Sequence, residues 1–143
     1  MDNYAKVEHP IKGLVPFKTY QYQQDLLKAY LNQRFNIVLK ARQLGITAIT
    51  GGFISWLCLF HKCQNVLIIG TKQEISKTTL RVVKNIVKNL PKWMVPGVVR
   101  IDVNNRTGVE FTNGSRISAV TTTKDAGRSS AISLLFVDEC RTH

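Results

Sequence analysis

Apolar positions in this chain recur at two spacings, one helical and one extended. In residues 22–31, Leu26, Leu27, Tyr30 and Leu31 return at helical intervals, with Gln24, Asp25 and Lys28 between them, which predicts an amphipathic helix. The run 35–39, containing Ile37 and Val38, predicts a short buried strand, and 40–45 a loop. Residues 47–61 are apolar almost throughout and predict a helix covered on most sides. A second buried strand is predicted over 65–70. From Thr71 a helix follows, its stripe made by Ile75, Thr79, Val83, Ile86 and Leu90. Pro91 and Pro96 end it and bracket Trp93 and Met94, which read as a core anchor for the turn. Strands are predicted over 98–102, 108–111 and 116–120, the last two joined at Asn113-Gly114, a strong hairpin signal. After a loop at 121–130, the apolar strand 133–137 runs into Asp138-Glu139. Residues 1–16, punctuated by Pro10, Gly13 and Pro16, read as an arm.

Strands alternating with helices predict an α/β fold with helices packed on a sheet. Ligands in such sheets bind beyond the carboxyl ends of the strands. The two ends rich in polar residues, 40–47 and 138–139, are therefore where chemistry is expected. With 143 residues, 44% of them hydrophobic, the chain has the size and apolar content of one folded domain rather than a disordered tail. No apolar run approaches the ~20 residues of a membrane helix, which predicts no membrane partner, and the first residues, with Asp2 and Glu8, do not read as a secretory signal. Cys58, Cys63 and Cys140 are an odd count without a CxxC pair, which favours a reducing compartment over a disulfide framework or zinc site. His9, His61 and His143 are too scattered for a metal centre.

Charge sharpens the expectation. The net charge is +11, and no acidic residue occurs between Asp25 and Glu74 or in 75–101. Such a field attracts phosphate-rich partners, although a solvated basic helix face gives the same count. It names an anion without saying which.

Residues 40–47 suggest the anion. A phosphate loop needs backbone N–H groups pointing inward, a glycine for close approach, a cation for the terminal phosphates and a hydroxyl for magnesium. Gly45 and Thr47 stand at the last glycine and the hydroxyl of the pattern GxxxxGK followed by Ser or Thr. Lys40 stands where the first glycine belongs and Ile46 where the lysine belongs, so by itself the stretch also reads as a basic turn between strand and helix. About 90 residues on, Leu134-Leu135-Phe136-Val137-Asp138-Glu139 is an apolar strand closed by two carboxylates, the form used to hold magnesium and to polarise an attacking water. In this order the two pieces point to a nucleoside-triphosphate site.

These residues resemble the large terminase, the DNA-packaging motor ATPase of tailed bacteriophages and related viruses. That family's loop reads Ser or Ala, then Arg-Gln-x-Gly-Lys, then Ser or Thr; Ala41-Arg42-Gln43-Leu44-Gly45-Ile46-Thr47 matches all but the lysine. Tyr22-Gln23 is similar to the family's adenine motif, Val137-Asp138-Glu139-Cys140 to its acidic strand, and Asp125-Ala126-Gly127-Arg128 to its Asp-Ala-x-Arg stretch. The resemblance spans about 17–140. It implies a P-loop NTPase fold of the ASCE or RecA-like type, three-layered, with a mainly parallel central sheet and a β-hairpin insertion, and ATP and Mg2+ as cofactors. By resemblance, Gln23 binds the adenine edge with Tyr22 beside it. Lys40, Ala41, Arg42, Gln43, Leu44, Gly45, Ile46 and Thr47 form the loop, with Gly45 and the amides of Ile46 and Thr47 on the β-phosphate. Thr47 and Asp138 hold magnesium, Glu139 activates water, Arg42 senses the γ-phosphate, and Arg128 is an arginine finger reaching a neighbour in a ring.

The same resemblance implies double-stranded DNA, a portal or procapsid and a small terminase subunit as partners. It implies a homo-oligomeric ring for the full-length protein, and action in the cytoplasm of an infected host cell, transiently at the portal. Two departures stand out. Ile46 leaves three readings open, compensation by Arg42 or Lys40, binding with poor hydrolysis, or a relict copy, and Ile46→Lys is expected to tighten ATP binding. The chain also stops at His143, four residues after Glu139, so it is expected to be a C-terminally truncated ATPase part, with an arm over 1–16, a partial domain over 17–143 and no nuclease. Two alternatives stay open: a non-catalytic nucleotide- or nucleic-acid-binding fragment, and a superfamily 2 helicase-like ATPase, whose usual Asp-Glu-x-His or Asp-Glu-x-Asp is not matched by Asp138-Glu139-Cys140-Arg141.

Overall fold

The computed structural model describes residues 6–9, 11–16, 18–40, 44–94, 101–122 and 131–138. Their elements are β1 (Lys6–His9), β2 (Gly13–Pro16), α1 (Gln21–Asn32), α2 (Ile46–Phe60), β3 (Asn65–Gly70), α3 (Gln73–Asn89), β4 (Ile101–Asn104), β5 (Gly108–Phe111), β6 (Arg116–Thr121) and β7 (Leu134–Asp138). Within the expected arm, β1 and β2 form an antiparallel hairpin, with Gly13 at φ +70° where a side chain would be strained. The main sheet has five strands in the order β4-β5-β6-β3-β7. Its β6-β3-β7 part is parallel and its β4-β5-β6 part antiparallel, so the expected mainly parallel sheet is parallel only on one side.

Alternation decides which side chains meet the helices. Val66 and Ile68 of β3, Ile117 and Ala119 of β6, and Val109 and Phe111 of β5 share one core with Ile54, Cys58 and Leu59 of α2 and Leu80 and Val83 of α3. Each large aliphatic residue buried here contributes roughly 1.5–3 kcal/mol. Gly51 lets α2 approach α3 closely, because a Cβ there would lie 2.7 Å from a Val82 methyl. A second cluster, Ile49 and Ile86 with Leu26 and Leu27 beside them, lays α1 on α2. On the other face of the sheet Leu135 and Val137 stay exposed. Among the described residues the packed layers are thus one sheet and the helices on one of its faces, and the third layer of the expected architecture is not seen there.

Turn chemistry connects the layers. Asn113, in the β5–β6 turn, donates its amide to the Cys58 carbonyl at 2.7 Å, satisfying an otherwise orphan carbonyl at the end of α2, while Gly114 takes φ +85°. Two expectations fail. Residues 35–39 join no ladder among the described residues, and Phe35, Ile37 and Leu39 are exposed, with Phe35 under the Arg34 guanidinium. An apolar run specifies an extended chain, but a strand also needs a neighbour for its N–H and C=O groups. Trp93 is 70% exposed and is no core anchor, because the turn after α3 carries it off the packed face.

Candidate functional site

The parallel strands end together. Gly70 of β3 stands in register with both Thr121 of β6 and Asp138 of β7, which brings the acidic residue to the carboxyl edge of the sheet. Thr122 donates its N–H to the Gly70 carbonyl at 3.2 Å and closes that edge. Gly70 has no room for a side chain: a Cβ would lie 2.8 Å from the Ser76 nitrogen in the tight β3–α3 turn. Asp138 is 7% exposed, and the Lys40 ammonium stands 3.6 Å from its Oδ1.

The first turn of α2 is built by α1. Gln23, 2% exposed, accepts the Tyr20 N–H on Oε1 at 2.9 Å and donates from Nε2 to the Leu44 carbonyl at 3.1 Å. The Tyr22 hydroxyl donates to the same carbonyl at 2.7 Å. Two side chains of α1 therefore hold the residue before Gly45, which caps α2 at φ +69°. The amides of Ile46 and Thr47 belong to the first turn, where N–H groups lack intrahelical partners and the helix dipole favours an anion. Ile46 turns its side chain into the interior, 6% exposed, and Thr47 is half-buried.

Tyr30 was legible in the sequence only as part of an apolar stripe. Its hydroxyl lies 3.0 Å from Thr50 Oγ1, one helical turn beyond Thr47, and its ring packs on Phe53. Burial pushes the phenol pKa above its ordinary value; the Thr50 hydrogen bond works the other way, and the Asp138 carboxylate adds to the rise. Tyr30 and Thr50 thus belong with Lys40 and Asp138, a relation of three elements that no local pattern announces.

The structure brings Tyr22, Gln23, Leu44 and Gly45 together at one end of α2, and Lys40 against Asp138 at the end of β7. Gln23 already spends both ends of its amide on backbone, so an adenine contact would have to replace one of these bonds. Ala41, Arg42 and Gln43 of the expected loop, and Arg128, Glu139 and Cys140, lie outside the described residues. Asp138 offers one buried carboxylate, the kind of hard oxygen donor magnesium takes alongside waters and phosphate oxygens. Among the described residues no group of three or more His, Cys, Asp or Glu could cage a metal. A separate cleft of about 550 Å³ lies along β5 and β6, lined by Gln73, Thr107, Glu110 and Arg116 and by none of the expected site residues. Among the described residues no helix is long and apolar enough to cross a membrane.

No protein-family profile matches the chain. Among solved structures, it is similar to the crystal structure of the HK97 bacteriophage large terminase, with a TM-score of 0.65 over 95% of this chain and 16% sequence identity. The chain therefore has a terminase-like α/β fold. It covers 35% of that protein, about a third of its length.

Proposed function

We propose that the chain is the nucleotide-binding part of a terminase-type ATPase that uses ATP and Mg2+ to drive double-stranded DNA into a viral procapsid. The observation that carries the reading is the Lys40–Asp138 ion pair at the carboxyl edge of the parallel strands, linked to the early turns of α2 through Tyr30, which bonds Thr50 and feels the Asp138 carboxylate. The terminase-like fold supports the reading. In this reading the Gly45, Ile46 and Thr47 backbone receives the β-phosphate, and Tyr22 and Gln23 set that backbone from behind. Thr47 and Asp138 hold magnesium, whose chemistry is to neutralise charge on the β- and γ-phosphates. Glu139, next in sequence to Asp138, orients and deprotonates the attacking water, and Arg42 and Arg128 stabilise the transferred phosphoryl group. On α3, Arg81 and Lys88 are exposed and suit a phosphate backbone, whereas Lys84 is tied to the Asn105 carbonyl. Assembly into a ring and contacts with the portal and a small subunit belong to the full-length protein under this reading.

The test is ATP binding and hydrolysis by the chain, with Glu139→Gln expected to bind nucleotide but not turn it over. Burial of Ile46 favours a second reading, a nucleotide- or nucleic-acid-binding fragment without catalysis, because no cation stands at the usual lysine position. Salt-dependent DNA binding that ATP does not alter, with no hydrolysis, would establish that second reading instead.

A further inference from the structure

We infer that Lys40 is the resident counter-ion of Asp138 and is exchanged for the metal when nucleotide arrives, so that one lysine serves the acidic strand end and the phosphates in turn. This rests on the nucleotide-site reading and adds an order of events to it. Asp138 is buried, and a carboxylate at that depth is costly without a cation. Among the described residues the cation facing it is Lys40, at 3.6 Å, whose side chain stays about one-third exposed. The neighbouring hydroxyls of Tyr30 and Thr50 are committed to each other.

The two cations compete for the Asp138 carboxylate. A divalent ion approaches a carboxylate oxygen to about 2.1 Å, and an ammonium already on the same carboxylate repels it at short range. Lys40 is free to leave: its ammonium ends a flexible four-carbon stem, and residues 35–40 form no ladder that its movement would break. It also has somewhere to go. The usual lysine position holds the buried Ile46, so phosphate oxygens at the α2 N-terminus lack the usual cation, and Lys40, five residues before Gly45 in the chain, takes that place once displaced from Asp138. The exchange makes metal and nucleotide bind as a coupled pair, with the bare protein a poor binder of divalent ions.

The experiment is titration of the 143-residue chain with Mn2+ alone, ATP alone and both together, by calorimetry and by the electron-spin signal of free Mn2+. Lys40→Met should raise Mn2+ affinity without nucleotide by about three- to tenfold, the worth of a partly exposed ion pair, and lower ATP affinity by a similar factor. Lys40→Arg keeps the charge and should bind Mn2+ as the wild type does. Asp138→Asn should remove the Mn2+ gain when combined with Lys40→Met. An unchanged or weaker Mn2+ affinity in Lys40→Met, with its melting profile intact, overturns the proposal. A metal gain with unaltered ATP affinity overturns the exchange as well. Failure of the nucleotide reading is seen separately, as a wild-type chain that takes up no ATP under any metal condition.

Discussion

Gln23 and Gly45 fit together only because one of them lacks a side chain: the Gln23 Nε2 lies 2.6 Å from where a Cβ on residue 45 would stand. The same Nε2 donates to the carbonyl of Leu44. The backbone entering α2 is thereby held from α1, at the turn that the proposed function assigns to phosphate. Gly45→Ala should destabilise the protein by about 1–3 kcal/mol, from the left-handed backbone and the displaced glutamine. A double-mutant cycle with Gln23→Ala, read by denaturant melts, should show non-additivity, since removing the amide relieves the clash. Full additivity would mean that the two residues do not share this space.

Ile46→Lys is read differently once its burial is known. From the sequence the change was expected to tighten ATP binding, but the side chain faces the interior. The variant should lose about 2–4 kcal/mol at pH 7 because an ammonium is placed where the side chain is buried from water. Burial lowers a lysine pKa, so folding favours the neutral amine and the penalty should shrink as pH rises toward 10. Thermal melts at both pH values, with an ATP titration, check this. A stable variant with tighter ATP binding would restore the first expectation.

Thr79 is fully buried in α3, and its Oγ1 has no hydrogen-bond partner among the described residues. Thr79→Val keeps the shape and removes the stranded hydroxyl, so stability should be unchanged or rise by about 1 kcal/mol. Thr79→Ser keeps the hydroxyl, loses a buried methyl and should lower stability by about 1 kcal/mol. Equal losses in both variants, measured in urea, would point to a bond that the hydroxyl makes.

The thiols should divide by reactivity. Burial pushes Cys58 up to about 12, whereas Cys63 is exposed at φ +55° beside Gly114. At pH 8, Cys58 is almost wholly protonated and inaccessible, so iodoacetamide should label Cys63 in the native protein and Cys58 only after unfolding. Peptide mapping by mass spectrometry reads the two sites separately.

Local periodicity was enough for α1, α2 and α3 and for β3, β5 and β6, because a side chain's face follows from its spacing along one element. The Asn113-Gly114 turn was legible for a similar reason, since the positive φ at residue 114 suits glycine. The residues at the two strand ends could be named from chain order alone. Whether 35–39 becomes a strand could not, because pairing depends on a neighbour's hydrogen-bonding edge, and neither could the inward turn of Ile46, which depends on what α2 packs against. The commitment of Gln23 to the backbone at Leu44, the tie of Tyr30 to Thr50 and the placement of Lys40 on Asp138 join residues far apart in sequence. Only the packing of α1 on α2 brings Gln23 to Leu44 and Tyr30 to Thr50, and only the approach of residue 40 to the end of β7 brings Lys40 to Asp138. The residue types that could bind an anion are thus written locally, and the contacts that decide what each one does are long-range.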